Sequence, residues 1–322
     1  MTFTKTVTLP VTPDEAFALV TQPERLRRWK TVTAQIDLRV GGAYRYTVTP
    51  GHHAGGTVRE LEPGKRVVIG WGWEDDEALP YDASTVTITI EPAESGSTVT
   101  LVHEGLNAEQ EVGHAEGWNH FLGRLEKLAT TGDAGPDEWG WAPQNLDPIS
   151  AAEAGLASLQ PILRNLKDTD RALPTPCSEF TVHDLAEHLM GSITSLGAMV
   201  GVEVVAPEGS LENKVSTMAA QALAGWRTFD LSGKVLDRDV PAAFAVNILA
   251  IEFVLHAWDF AQATGQEVRM SDEVATYVTG IAADVISAVR QSGAFADALE
   301  SSPEASPLER LVAFSGRRPL AA

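Results

Sequence analysis

Glu252 and His256 lie four residues apart in the run 251–260, which is otherwise apolar apart from Asp259. In an α-helix, positions i and i+4 leave the same face with Cβ atoms about 5–6 Å apart, so a carboxylate and an imidazole there can share one divalent ion. His188 stands likewise among the apolar positions of the run 184–191. If the two segments are helices packed face to face, two imidazoles and one carboxylate hold a cation and leave a fourth position vacant. Catalytic rather than structural zinc is held in that way. A second reading of the same residues stays open: a histidine hydrogen-bonded within a core, with Glu252 satisfied by an arginine or by His256 itself.

Neighbouring residues extend the set. Asp259 follows His256 by three positions and Asp184 precedes His188 by four. Each is in reach of the far ring nitrogen of its histidine, where a carboxylate fixes tautomer and orientation. For Asp259 a solvent-facing position is an equal alternative. Cys177, in a Pro-rich turn before a helix start at Thr181, reads as a structural or exposed thiol ahead of a nucleophile or fourth ligand. His183 reads as a first-turn surface residue. His52-His53, with His103, His114 and His120 further along, could suggest a second metal site in the first half, but their loop and strand-end positions lack a ligand spacing. Arg310, Arg317 and Arg318 offer charge to an anionic substrate or cofactor carboxylate, with solvated terminal arginines as the simpler reading.

The elements that must carry these residues follow two grammars. In 1–131, a strand opens on Phe3, Val7 and Leu9, and Thr12, Pro13 and Glu15 make a helix start. Strand-like runs follow at 33–40, 43–49, 55–62, 66–73, 84–91 and 97–103, with turns at Gly41-Gly42, Pro63-Gly64 and Ser95-Gly96. Short turns between successive strands imply an antiparallel sheet. A long helix capped by Asn107 and Gln110 closes the half, with a stripe of Val112, Ala115, Trp118, Phe121, Leu122, Leu125 and Leu128. Trp71 and Trp73 alternate with Gly70 and Gly72, so both rings face one side of their strand.

Residues 132–148 have linker composition, with Trp139 and Trp141 expected to dock on a surface. From Ser150 on, the pattern is helical. Ser150 with Glu153 predicts a helix to about Asp168 that Pro161 should kink or split; Thr181 with Asp184 starts the helix bearing His188, which should run to about 200. Further helices are expected at 210–229, 243–264 and 271–292. The fold class is therefore α+β: an antiparallel sheet with a long closing helix, then an all-α bundle.

Composition narrows the function. The chain has 322 residues, 44% hydrophobic and 21% charged, as in globular proteins with substantial cores, and its length favours two domains. A net charge of −20 opposes general affinity for nucleic acid or anionic membrane. The N-terminus lacks a signal-peptide pattern and no uncharged apolar run of about 18 residues is present, so a cytoplasmic protein is expected. One cysteine permits no internal disulfide and no cysteine-based zinc site.

The second half resembles a known family. The strings Leu173-Pro174-Thr175-Pro176-Cys177-Ser178-Glu179-Phe180-Thr181-Val182, Asp184-Leu185-Ala186-Glu187-His188-Leu189, Glu252-Phe253-Val254-Leu255-His256-Ala257-Trp258-Asp259, Ser306-Pro307-Leu308-Glu309-Arg310-Leu311 and Gly316-Arg317 look like DinB-like metal-binding proteins. Within them the likeness is to the branch of mycothiol-dependent maleylpyruvate isomerase. That resemblance implies a four-helix bundle over 149–322 holding a divalent metal, commonly zinc, through His188, Glu252 and His256. The first half is similar to the activator-of-Hsp90-ATPase-like branch of the START-like (SRPBCC) superfamily. The likeness rests on Thr12-Pro13-Asp14-Glu15-Ala16-Phe17, Trp29, Val40-Gly41-Gly42-Ala43-Tyr44, Glu62-Pro63-Gly64-Lys65-Arg66-Val67-Val68 and Glu116-Gly117-Trp118-Asn119. It implies a helix-grip domain over 1–131 with an apolar small-molecule cavity, for which Trp71, Trp73 and Trp118 are candidate lining residues alongside simple core packing.

Together the resemblances imply a metal-dependent, most naturally zinc-dependent, enzyme. It would activate a low-molecular-weight thiol such as mycothiol, for transfer to or isomerisation of a small electrophile, and bind a hydrophobic molecule in its first domain. A non-catalytic metal-dependent binding or stress-response protein is the alternative. A chaperone-associated role rests on scaffold analogy alone.

Overall fold

The computed structural model describes residues 1–177, 179–235, 239–291, 293 and 295–320. Ser178, within one of the strings quoted above, and Ser292, the expected end of the last long helix, lie outside the described residues. The chain forms two compact units, Met1–Asp137 and Glu138–Ala322.

The first unit is a seven-stranded antiparallel sheet, in the order β1-β7-β6-β5-β4-β3-β2, with helices packed against it. Its strands are β1 (Thr2–Leu9), β2 (Thr33–Ile36), β3 (Ala43–Thr49), β4 (His52–Glu62), β5 (Arg66–Trp73), β6 (Ser84–Ala93) and β7 (Gly96–Glu104). Helices α1 (Pro13–Thr21) and α2 (Pro23–Leu26) lie between β1 and β2, and α3 (Ala108–Thr131) closes the unit. Period-two burial sets the sheet's inner face: Val86, Ile88 and Ile90 of β6 and Val99, Leu101 and His103 of β7 point inward, and alternating threonines do not. Thr12 caps α1 through the Glu15 N–H, and Asn107 with Gln110 makes a reciprocal capping box on α3.

Two expectations for this unit are corrected. The strand expected at 33–40 stops at Ile36, because Asp37 to Gly42 fold into a turn in which Gly42 N–H donates to Arg39 O at 2.8 Å and Gly41 takes φ +80°. The α3 stripe begins at Trp118; Val112, counted in it by periodicity, is 72% exposed.

The alternation of Gly70-Trp71-Gly72-Trp73 has a steric cause on each face. A Cβ on Gly72 would fall 1.8 Å from Pro80 O, and one on Gly70 would fall 1.7 Å from Asp82 Oδ1. The segment 74–83 therefore lies directly on the backbone of β5, while the two indoles project from the opposite face.

The second unit is all-helical apart from two isolated bridges, among the described residues. It comprises α4 (Glu138–Trp141), α5 (Pro148–Arg164), a 3₁₀ turn at Asp168–Asp170, α6 (Val182–Ala198), α7 (Leu211–Thr228), α8 (Ala242–Thr264), α9 (Asp272–Arg290) and α10 (Pro307–Phe314). Helix α8 packs against α5, α6 and α9, and α7 packs against α5 and α6. The start of α5 differs from expectation. Asp147 is the N-cap, Pro148 the first helical residue and Ser150 the reciprocal partner, whereas Glu153 is buried one turn further on. The Asp-Pro pair supplies a cap and a preset φ three residues earlier than the Ser150 reading. Pro161 sits in the last turn of an unsplit helix, which ends at Arg164 rather than near Asp168.

Helix α8 is buried nearly all round, which a uniformly apolar helix requires. By length and mean hydropathy it is long enough to cross a membrane, yet 72% of its most apolar window is buried within the protein. Small residues on α5 let α8 approach closely: a Cβ on Gly155 would meet Phe253 Cβ at 3.1 Å.

Candidate functional site

Thr181 begins α6, its hydroxyl accepting from Asp184 N–H while Asp184 returns the bond to the Thr181 backbone, and this sets the helix phase that turns His188 toward α8. On α8, Glu252 and His256 are one turn apart. His188 Nε2 and His256 Nε2 each lie 3.4 Å from Glu252 Oε2, and the two rings are 5.3 Å apart and nearly perpendicular. One donor atom from each of the three residues falls within 4.8 Å of the others. Two ligand atoms about 2.0–2.2 Å from one tetrahedral zinc stand roughly 3.3–3.6 Å apart. The observed spacing therefore suits a shared cation better than direct hydrogen bonds. Glu252 Oε2 and His256 Nε2 are both buried, and both lack a hydrogen-bond partner among the described residues. Orphaned buried polar atoms are rare, and two aimed at one point fit a shared divalent cation.

Behind His256 lies a chain of charge. Its Nδ1 is 2.9 Å from Asp259 Oδ2, so Nδ1 carries a proton, and Nε2 faces Glu252. Asp259 is fully buried and receives Arg317 Nε on both oxygens, at 2.9 and 3.0 Å. Burial alone would raise the Asp259 carboxyl; the Arg317 guanidinium and His256 outweigh it and hold the group below the usual carboxylate range. Glu252 follows the same pattern, with burial opposed and overcome by the two imidazoles. For His256 burial acts downward, but Glu252 and Asp259 drive it well above the ordinary imidazole value.

The other sequence candidates divide. Asp259 stands behind His256, and its solvent-facing alternative is overturned. Asp184 does not orient His188: its exposed carboxylate takes the Thr181 N–H at 3.0 Å and hydroxyl at 2.6 Å, work fixed by its place in the capping box. Arg317 is not a solvated terminal arginine but is 8% exposed and ion-paired, because the turn at Gly316, φ +81°, directs it inward. Arg310 and Arg318 are exposed. Cys177 is half-buried with Sγ 3.4 Å from both Asp259 Oδ2 and Arg317 Nη2, a neighbourhood its local sequence did not reveal. His183 is on the surface near Arg171. His188 is itself 38% exposed, with the Phe180 ring 5.2 Å from its own.

In the first unit, Trp71 and Trp118 are buried and Trp73 half-buried, with ring centroids 5.6 Å apart for Trp71 and Trp73 and 5.2 Å for Trp71 and Trp118. The three indoles belong to one cluster, but its interior is not purely apolar. Lys30 Nζ sits 4.7 Å from the Tyr46 ring centroid and 4.8 Å from those of Trp71 and Trp118. Burial lowers this amine to about 7. His103 Nδ1 accepts the Trp118 indole at 3.0 Å, and burial, then His114 and Lys30, depress it to about 3. The sequence reading passed over Lys30, a charged residue beside Trp29 with no motif around it. The first half's histidines form no second metal site among the described residues: both metal-type groups lie in the second unit.

Comparison with known proteins defines the class of the first unit. Residues 10–130 match the family model described as Activator of Hsp90 ATPase homolog 1-like protein, and the unit is an AHSA1-like, START-like domain. Among solved structures, the chain is similar to an AHSA1-like protein of Rhizobium etli, at 36% identity over 46% of this chain and 91% of that one, with a TM-score of 0.38. It is also similar to protein CV1439 of Chromobacterium violaceum, at 27% identity over 42% of this chain and 98% of that one, TM-score 0.35. Two uncharacterized proteins of Mycobacterium tuberculosis, Rv0738 and MT0763, are each 28% identical over 180 residues, which is 53% of this chain and 98% of theirs. A match of that length is longer than the first unit and therefore includes residues of the second.

Proposed function

We propose that the chain is a metal-dependent enzyme whose second, DinB-like unit holds a divalent cation, zinc by its donor set, through His188, Glu252 and His256. The observation that carries this reading is the pair of buried atoms without a hydrogen bond, Glu252 Oε2 and His256 Nε2, 3.4 Å apart. When bound, such a metal supplies a Lewis acid that takes a thiol as thiolate or lowers the pKa of bound water to about 7. Two imidazoles and one carboxylate leave a fourth position for that ligand. Asp259 and Arg317 orient His256, and the half-exposed side of His188 is where solvent and substrate approach. The reaction class is addition of a low-molecular-weight thiol, mycothiol in the implied branch, to a small electrophile for transfer or isomerisation. The AHSA1-like unit binds a small hydrophobic molecule.

The test is elemental analysis of purified protein followed by turnover assays with mycothiol and other small thiols over a panel of electrophiles. About one divalent metal per chain is expected, lost in the Glu252→Ala/His256→Ala double variant while the first unit stays folded. Wild-type protein that neither carries nor takes up metal at neutral pH overturns the reading. The Phe180 ring against His188 favours a second reading, a non-catalytic metal-dependent binding or stress-response protein, since it places apolar surface beside the ligands. Stoichiometric metal without thiol-dependent turnover supports that second reading.

A further inference from the structure

We infer that the interior of the first unit accepts a small apolar acid, with Lys30 as the group that meets its carboxylate. This rests on the reading that the unit binds a small molecule, and adds the chemistry of that molecule's polar end. Lys30 is 5% exposed, its amine makes no hydrogen bond or ion pair among the described residues, and the ring faces of Tyr46, Trp71 and Trp118 stand against it at 4.7, 4.8 and 4.8 Å. A buried polar group without an acceptor is costly.

Acceptors nearby are already used, and donors exceed them. His114 Nδ1 lies 2.7 Å from Gln110 O, which puts the proton on Nδ1 and leaves Nε2 as acceptor. Both Trp71 Nε1, at 3.3 Å, and Trp73 Nε1, at 3.2 Å, point at that single nitrogen. An imidazole nitrogen has one in-plane lone pair, so one indole N–H is left short of a full acceptor. His103 is equally committed: Nδ1 takes the Trp118 indole, and Nε2 donates to Ser84 Oγ at 2.9 Å, which itself donates to Trp71 O. The cluster thus holds an unmatched amine and an under-satisfied indole N–H within one aromatic enclosure.

The complement of surplus donors is an acceptor. An alcohol or amine brings further donors, and a cation meets the charge of Lys30. A single carboxylate on a flat apolar body matches one amine and one indole N–H, whereas a dianionic phosphate outnumbers them. Trp73 and His114, the half-buried members, form the side of the cluster nearest solvent.

Calorimetric titration of the full chain with 4-phenylbutyrate and with 4-phenylbutanol tests this, in wild type and in Lys30→Met, which keeps length and removes the amine. The acid should bind at least about tenfold more tightly than the alcohol, and Lys30→Met should abolish that preference while leaving alcohol binding within about twofold. Thermal melting confirms that the variant is folded, and Lys30→Arg provides a second folded variant that retains charge and part of the preference. Equal affinities in wild type, or a preference that survives in Lys30→Met, overturn the inference and leave the apolar-ligand reading standing. No binding of either probe overturns both.

Discussion

Arg317 Nε donates to both carboxylate oxygens of Asp259, at 2.9 and 3.0 Å, joining residues 58 positions apart into the base on which His256 rests. The consequence is that the orientation of a candidate metal ligand depends on a side chain near the end of the described chain.

Arg317→Met removes the cation held on both Asp259 oxygens and leaves that buried charge with His256 alone, so it should destabilise the second unit by roughly 3 kcal/mol. Asp259→Asn with Arg317→Met removes both charges and should recover most of that loss. Urea unfolding of the two variants checks the order. Asp259→Asn alone should lower metal affinity about 10–100-fold in chelator competition, because the far side of His256 loses its carboxylate.

The first unit should gain stability with rising pH in two windows. His103 is depressed from 6.5 to about 3, so the unfolded chain binds more protons between those values and the group's contribution is lost as pH falls through them. Lys30 is depressed from 10.5 to about 7, so the same sign holds between about 7 and 10.5. Unfolding midpoints from pH 7 to 10 should climb in wild type and stay flat in Lys30→Met, which should also be the more stable at pH 7. A rise of equal slope in that variant would assign the dependence to other groups.

Two glycines of the first unit should respond in opposite directions. Gly117→Ala in α3 adds a methyl that meets nothing within 4 Å and should stabilise by about 0.5–1 kcal/mol. Gly72→Ala places its Cβ 1.8 Å from Pro80 O and should cost about 1–3 kcal/mol by displacing segment 74–83. Thermal unfolding reads the first, and proteolysis within 74–83 reads the second.

Where sequence reading succeeded, the signal was short-range. Thr12, Asn107, Thr181 and Ser271 each cap the helix that spacing assigned to them, since a cap is a contact over three residues. It failed where two local signals competed, as when Asp147-Pro148 began α5 ahead of Ser150. It failed again where exposure had to be guessed, as at Val112.

The i, i+4 pairing of Glu252 with His256 was written in the chain, because helix geometry alone puts both on one face. So were the alternation of sheet residues and the shared side of Trp71 and Trp73. Which distant groups complete those faces was decided only by tertiary packing. Nothing near Arg317 announces that it will meet Asp259. Nothing near Lys30 announces three aromatic faces drawn from β3, β5 and α3. Local periodicity fixes a side chain's direction from its own element, whereas burial and charge pairing belong to contacts between elements far apart in sequence.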